Sequence, residues 1–381
     1  MKKRFRRQAA TACAAVVMIG SITAGGMLLV PWMQSVPLGT GLKESTPEES
    51  GQPVIHITHS PADLLGYNWT QGAGAMAQPS VPQHSDIITV ESAYSLTLHE
   101  EKPYPAARDS DDGVIEETHY GLQKGNQFFA LDTAGQVRNC THHTNTELLE
   151  ESRIVPRLPL KADGTPMVLI YHTHTTESYE ASERSYFDKD FNYRTTQPDK
   201  NMVMVGDAIA NELAAAGIGV IHAETIHDYP AWNGSYGRSA ETVSDILEQY
   251  PSVCIALDIH RDAISTETKI LAPVAEINGK KAAQIMMISG CDDGTMGMPN
   301  YLKNFHLASS IQQTMEAAYP GLTRPILFDY RKYNQDLTTG SLLIEVGPQG
   351  NTMEEARYAG SLFGKSLAET ILTLIQEENQ S

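Results

Sequence analysis

Three stretches of sequence decide the fold: MVLIYHTHTTE at 167–177, VCIALDIHRD at 253–262 and SLLIEVGPQG at 341–350. Each begins with a nearly continuous apolar run, which is typical of a strand covered on both faces of a sheet. In the first two stretches polar and titratable side chains follow the run, and in the third Glu345 interrupts it. These stretches therefore predict buried strands with candidate functional side chains at or near their carboxyl ends.

The sequence around these stretches alternates between strand and helix patterns. Further strands are predicted at 218–223, 283–289 and 325–330, and helices at about 200–216, 238–249, 301–318 and 352–377. The predicted fold class is α/β, with a mixed, mostly parallel twisted sheet covered by helices over 159–381 and a small N-terminal β-rich module. In such sheets the functional groups gather at the carboxyl ends of the strands.

The N-terminal segments predict an anchor, a spacer and a small module. Five cationic residues precede an uncharged apolar run at about 9–30, long enough to cross a bilayer. We therefore expect 1–33 to be a cytoplasmic basic head and single transmembrane anchor (a signal-anchor), with the remainder outside the cell membrane; a cleaved signal peptide is the alternative. Residues 34–84, rich in Pro, Ser and Gly, predict a flexible linker, and 85–158 a small accessory module whose role is not evident.

Composition excludes one class of partner. The formal net charge is −18, and no cluster of Lys or Arg follows the N-terminal head. A nucleic-acid partner is therefore not expected. The four cysteines form no CxxC pair, so they predict neither a zinc knuckle nor a dense disulfide framework.

The polar groups at the strand ends suggest a metal site. Zn²⁺ prefers three nitrogen or oxygen ligands and an open position for water, and a further carboxylate can act on that water as base and acid. His174, His260 and Glu345 lie on three different strand ends. Alternatively, each histidine is an ordinary capped side chain, and Glu345 is an ion-pair partner of Arg261. His222, His227 and the His142–His143 pair are interpreted as ordinary.

The segments VLIYHTHTTESY, ALDIHRDA and LLIEVGPQGNTMEEA resemble the signature blocks of the stage II sporulation protein P family. More distantly, they are similar to zinc-dependent N-acetylmuramoyl-L-alanine amidases. The resemblance covers roughly 160–378 and implies an amidase-like fold. It further implies that His174 and His260 bind zinc and that Glu345 is the catalytic carboxylate.

The third zinc ligand is open. The amidases usually take a Glu about a turn and a half beyond the position of Glu177, where this chain offers only Asp199 and Asn201. Glu177 is therefore the preferred candidate and His172 the substitute. Arg261 is expected to hold either Glu345 or the substrate.

The resemblance implies a membrane-anchored peptidoglycan hydrolase that cleaves the amide between N-acetylmuramic acid and L-alanine, and cross-linking peptide bonds as well. It also implies a role in sporulation engulfment with a transglycosylase and a polytopic membrane protein as partners. Another extracytoplasmic zinc hydrolase, a peptidase or a deacetylase, is one alternative. A catalytically inactive cell-wall scaffold is the other.

Overall fold

Strands and helices alternate along most of the chain in the computed structural model, which describes residues 54–58, 85–91 and 112–380. The helices are α1 Asn145–Glu151, α2 Met202–Ala215, α3 Ser235–Gln249, α4 Tyr301–Ala318 and α5 Met353–Glu378. The strands are β1 Val54–Thr58, β2 Ile87–Glu91, β3 Gly113–Thr118, β4 Phe128–Ala130, β5 Gln136–Asn139, β6 Pro166–Tyr171, β7 Tyr186–Phe187, β8 Gly219–Ala223, β9 Ile255–Asp262, β10 Lys269–Ile277, β11 Lys280–Ala283, β12 Ile285–Gly290, β13 Ile326–Asp329 and β14 Ser341–Pro348.

The larger sheet places the functional strand ends at one edge. Within the described ranges it has ten strands in the order β1-β2-β8-β6-β9-β14-β12-β13-β5-β4. Strands β2, β8, β6, β9 and β14 are parallel to their neighbours in this series, so their carboxyl ends all point the same way. Strand β12 is antiparallel to β14, which makes the sheet mixed.

Helices cover both faces of this sheet, as alternation along β6 shows. Val168 and Ile170 belong to the large core that includes apolar residues of α2, α4 and α5. Leu169 and Tyr171 belong to a second core with Val243 of α3. Because successive strand residues point to opposite faces, the continuous apolar run of β6 is what a sheet buried on both sides requires. The predicted fold class is confirmed.

A smaller sheet lies beside these layers, with the order β11-β10-β3-β7 in the described residues. Its β10–β11 hairpin turns at Asn278–Gly279, and both turn residues have positive φ. An Asn-Gly pair between strands is a strong hairpin signal. Strands β10 and β11 are not among the strands predicted above, although this dipeptide is a local signal for the hairpin.

The predicted elements of 159–381 agree with the observed ones to within a few residues. The segment 85–158 supplies strands to both sheets: β2 pairs with β8, β5 with β13, and β3 with β10. Both sheets therefore combine strands from before and after position 158. Strand β1, inside the predicted linker, pairs with β2.

The predicted anchor, at about 9–30, lies outside the described residues. In the ranges that the structure does describe, no helix combines the length and the apolar character needed to span a membrane. The anchor therefore stays a prediction from sequence.

Candidate active site

The predicted site residues meet at the carboxyl edge of the parallel strands. His174 and Glu177 lie in the loop after β6, His260 on β9 and Glu345 on β14. Glu345 is the direct partner of His260 in the register between these two strands. Side chains of directly paired residues lie on the same face of a sheet, so the pairing brings a carboxylate beside an imidazole.

His260 is fixed between two carboxylates. Its Nε2 lies 2.8 Å from Asp258 Oδ1, although the direction is not that of a regular hydrogen bond. Its Nδ1 lies 3.8 Å from Glu177 Oε2. Burial lowers the pKa of this imidazole, but the charges of Asp258 and Glu177 outweigh burial and raise the pKa to about 9. Asp258 therefore orients His260 so that Nδ1 faces Glu177, as outer carboxylates orient metal-binding histidines.

Glu177 is buried and held as a carboxylate. Its Oε2 accepts a hydrogen bond from the backbone N–H of Arg261 at 3.2 Å, and its Oε1 accepts one from Arg194 at 3.4 Å. Burial raises the pKa of Glu177, but Arg261, His260 and Arg194 lower it below its ordinary value overall. The ionised form is the one that binds a cation.

His174 packs against aromatic rings next to His260. Its imidazole stacks on Trp232, with ring centroids 5.0 Å apart and planes 16° apart. It meets the ring of His260 edge-on at 5.2 Å, and Ser235 Oγ lies 3.4 Å from its Nδ1. Burial lowers the pKa of His174, which favours the neutral imidazole that binds metals.

Glu345 carries an unsatisfied buried oxygen. Its Oε2 has no hydrogen-bond partner among the described residues. Burial, followed by the charge of Asp262, raises the pKa of Glu345 to about 8. A carboxyl group that exchanges a proton near neutral pH is suited to general acid–base catalysis.

His172 and Arg261 are turned to other contacts. Both ring nitrogens of buried His172 are engaged, Nδ1 at 3.0 Å from the Ile259 carbonyl oxygen and Nε2 at 2.9 Å from Nε2 of His222. The Arg261 guanidinium donates to the backbone carbonyls of Ser178 and Tyr193. Because successive strand residues point to opposite faces, Arg261 leaves β9 on the face opposite His260. Its bonds to Ser178 and Tyr193 fasten the loop that carries Glu177.

The donor set is chemically suited to zinc. His174, His260 and Glu177 offer two imidazoles and one carboxylate, and the unpartnered oxygen of Glu345 lies beside them. Within the described residues, however, the group of three ligand-type side chains whose donor atoms all lie within 4.8 Å of one another is a different one: Asp207, His222 and Glu224. The predicted ligands share one edge of the sheet without being drawn that close.

Asp228, Trp232 and Tyr236 support this site and are not among the predicted site residues. Asp228 accepts a hydrogen bond from Arg194 at 2.7 Å and one from the backbone N–H of Thr176 at 3.1 Å. Trp232 and Tyr236 contact the ring of His174. These side chains lie more than fifty positions beyond His174, in loops and a helix without a local motif, so only the folded chain brings them to the site.

Comparison with known families decides the relationship. The family model of stage II sporulation protein P matches residues 86–368. The chain belongs to this family. The resemblance predicted from the three strand-end blocks is therefore confirmed, and the match extends back into the segment that supplies β2 to β5.

A curated member of the stage II sporulation protein P family is the protein from Bacillus subtilis (strain 168). It is 31% identical to this chain over 206 residues, which cover 51% of this chain and 48% of the relative. The chain thus matches about half the length of that relative.

Solved structures with some likeness to this family member include two amidases. The N-acetylmuramoyl-L-alanine amidase AmiC2 of Nostoc punctiforme is 15% identical with a TM-score of 0.33, covering 57% of this chain and 99% of that one. The CwlD amidase from Clostridioides difficile, solved with the GerS lipoprotein, is 12% identical with a TM-score of 0.32, covering 56% and 98%.

Proposed function

We propose that this protein is a zinc-dependent N-acetylmuramoyl-L-alanine amidase that acts on peptidoglycan. The observation that carries the proposal is the meeting of His174, Glu177 and His260 with Glu345 at one sheet edge. Two imidazoles, an ionised carboxylate and a separate carboxyl group with a raised pKa are the parts that hydrolysis of an amide by a zinc enzyme needs. Membership of a sporulation family supports the cell wall as the substrate.

Glu177 is the third ligand in this proposal, and His172 is not. Glu177 Oε2 lies beside His260 Nδ1, whereas both nitrogens of His172 are engaged by the Ile259 carbonyl and His222. A histidine whose two nitrogens are both occupied would have to give up a buried hydrogen bond in order to bind a metal.

Zinc held by His174, His260 and Glu177 would supply Lewis-acid polarisation of the scissile carbonyl and of the attacking water. Glu345 takes the proton of that water at its buried Oε2 and delivers it to the leaving amide nitrogen. Asp258 keeps His260 oriented throughout, and Arg261 holds the loop of Glu177 in place through its bonds to Ser178 and Tyr193. No covalent intermediate is required.

The proposal includes the cellular setting predicted from the sequence. The basic head and apolar run of 1–33 would anchor the chain in the cell membrane, with the catalytic part on the extracytoplasmic side. Work in engulfment with a transglycosylase and a polytopic membrane protein, and cleavage of peptide cross-links, are parts of the same proposal. Their support is the family relationship alone.

The test is the chemistry of the products. Full-length protein is incubated with purified peptidoglycan and Zn²⁺, with and without chelator, and the products are identified by mass spectrometry. We expect chelator-sensitive release of complete stem peptides. Glu345→Gln should reduce the rate by about 10²- to 10⁴-fold, while the control Glu267→Gln, at an exposed position of a loop, should keep wild-type activity.

Each alternative gives a distinct product. Shortened peptides still attached to glycan would identify a peptidase, and released acetate a deacetylase. Intact peptidoglycan in the presence of zinc and the proposed partners, with Glu345→Gln equal to wild type in the cell, would identify a scaffold. Any of these results contradicts the amidase proposal.

A further inference from the structure

A second cluster of ligand-type side chains joins α2 to the end of β8. Asp207 lies on α2 and is exposed, His222 lies on β8 with 1% of its side chain exposed, and Glu224 follows that strand. Their donor atoms all lie within 4.8 Å of one another. We propose that Asp207, His222 and Glu224 bind a divalent cation at a site separate from the active site.

The hydrogen bonds of the neighbouring His172 define the orientation of the ligand atom. A backbone carbonyl can only accept, so the contact between His172 Nδ1 and the Ile259 carbonyl requires a proton on Nδ1. In the neutral imidazole Nε2 of His172 then has a lone pair, and it accepts from Nε2 of His222, 2.9 Å away. His222 therefore uses its Nε2 proton toward His172.

This arrangement leaves His222 Nδ1 as the atom that faces the carboxylates. It lies 3.1 Å from Asp207 Oδ1. In neutral His222, whose proton is on Nε2, this contact sets a lone pair against a negatively charged oxygen. A cation at this contact removes the repulsion, and that cation is either a second proton on the ring or a metal ion. Glu224 supplies a second carboxylate whose ligand atom lies within 4.8 Å of those of Asp207 and His222, and this further negative charge and ligand atom favour a divalent ion over a proton.

Close packing fixes His222 in this orientation. Gly206 of α2 lies against both imidazoles, and a Cβ at this position would come within 2.3 Å of His222 Nε2 and 2.8 Å of His172 Nε2. Any other residue at position 206 would push the helix off the strand or the rings out of contact. The buried ring is thus clamped with Nδ1 toward the cluster, as a preorganised ligand requires.

One imidazole nitrogen and two carboxylates are suited to a borderline ion such as Zn²⁺ or Mn²⁺. The bound ion would connect α2 to β8. Through His172 it would also stiffen β9 at Ile259, next to His260. The site is therefore expected to stabilise the frame that carries the active site without taking part in the reaction.

The first test is metal stoichiometry. Full-length protein, stripped with chelator, is dialysed against low micromolar Zn²⁺ and its metal content is measured. If the active site also binds zinc, wild type should hold two ions. The double substitution His174→Ala and His260→Ala should leave one ion, and Asp207→Asn with Glu224→Gln should also leave one. Asp245→Asn, exposed on α3, is the matched control and should leave two.

The outcomes separate this proposal from the amidase proposal. If only the active-site proposal fails, wild type should hold one ion that Asp207→Asn with Glu224→Gln removes and the histidine substitutions do not. If Asp207→Asn with Glu224→Gln binds as much Zn²⁺ as wild type, the second site is refuted. Because the Asp207 side chain is about half exposed, its substitution by Asn should not prevent folding.

A second measurement does not depend on variants. The ¹⁵N spectrum of the histidine rings distinguishes a neutral imidazole, an imidazolium and a metal-bound ring. We expect the Nδ1 signal of His222 to shift on addition of Zn²⁺ at neutral pH while its Nε2 keeps its proton. A doubly protonated His222 at saturating Zn²⁺ would mean that the cation beside Asp207 is a proton, and would overturn the proposal.

Discussion

His260 depends on a carboxylate two positions earlier in its own strand. Residues i and i+2 of a strand lie on one face, so Asp258 and His260 of β9 are neighbours. Asp258 is itself held by the backbone N–H and the hydroxyl of Thr173, at 2.8 and 2.7 Å. The next residue, Arg261, leaves the opposite face and binds the loop after β6.

Replacing Asp258 by Asn should weaken both zinc affinity and catalysis. The amide keeps the shape but loses the charge that orients and polarises His260, and loss of such an outer carboxylate costs about 10- to 100-fold in metal affinity or activity. Zinc affinity by competition with a chromogenic chelator, measured alongside amide cleavage, checks this. Asp245→Asn serves as the control, and unchanged affinity in Asp258→Asn would contradict the role.

Trp232 is expected to contact the substrate next to His174. One face of its ring stacks on that imidazole, while 46% of the residue remains exposed. An aromatic contact contributes about 0.5–1.5 kcal/mol, so Trp232→Ala should raise KM about 2- to 10-fold and Trp232→Phe less. Steady-state kinetics on soluble peptidoglycan fragments test this, with exposed Leu122→Ala as control. A fall in kcat alone, with zinc lost, would show that Trp232 only supports His174.

At the scale of elements, the approach of α2 to β8 is limited by one residue without a side chain. Gly206 lies against the imidazoles of His172 and His222, and this approach lets α2 cover the sheet beside the functional edge. Gly237 of α3 differs, because a Cβ there would meet nothing within 4 Å. The two glycines therefore form a matched pair.

Gly206→Ala should destabilise the protein and Gly237→Ala should not. A methyl group at 206 overpacks a closed contact, at a cost of about 1–3 kcal/mol. At 237 alanine raises helix propensity and should add up to about 1 kcal/mol. Urea unfolding followed by circular dichroism measures both changes. Equal stabilities for the two variants would contradict the close packing of α2 on the histidine pair.

For the whole molecule, buried histidines predict how stability varies with pH. Burial and the neighbouring His222 hold the pKa of His172 well below its ordinary value, and burial also lowers the pKa of His227. Below about pH 6.5 these rings gain protons in the unfolded chain but not in the folded protein. The free energy of unfolding should therefore fall between pH 6.5 and 5, by up to about 1.4 kcal/mol per pH unit for each ring.

Unfolding in urea at several pH values, without zinc, measures this dependence. His227→Gln should lose part of the slope, whereas His142→Gln, at an exposed position, should keep it. The same slope in His227→Gln and wild type would contradict the assignment. His260 acts in the opposite sense: because its pKa is raised to about 9, the stability that it contributes below pH 6.5 is lost as the pH rises through 9.

The sequence by itself determined six strands of 159–381, namely β6, β8, β9, β12, β13 and β14, the helices α2 to α5, and which strand ends carry His174, His260 and Glu345. The spacing of apolar residues and the polar residues that follow an apolar run are local properties of the sequence. They can therefore be recognised without knowledge of the fold. Only the tertiary structure decided that β2, β3 and β5 complete the two sheets, that Asp258 and Trp232 flank the site, and that Asp207 meets His222. Those contacts join segments distant in sequence, and they depend on strand order and helix packing, which no local pattern encodes.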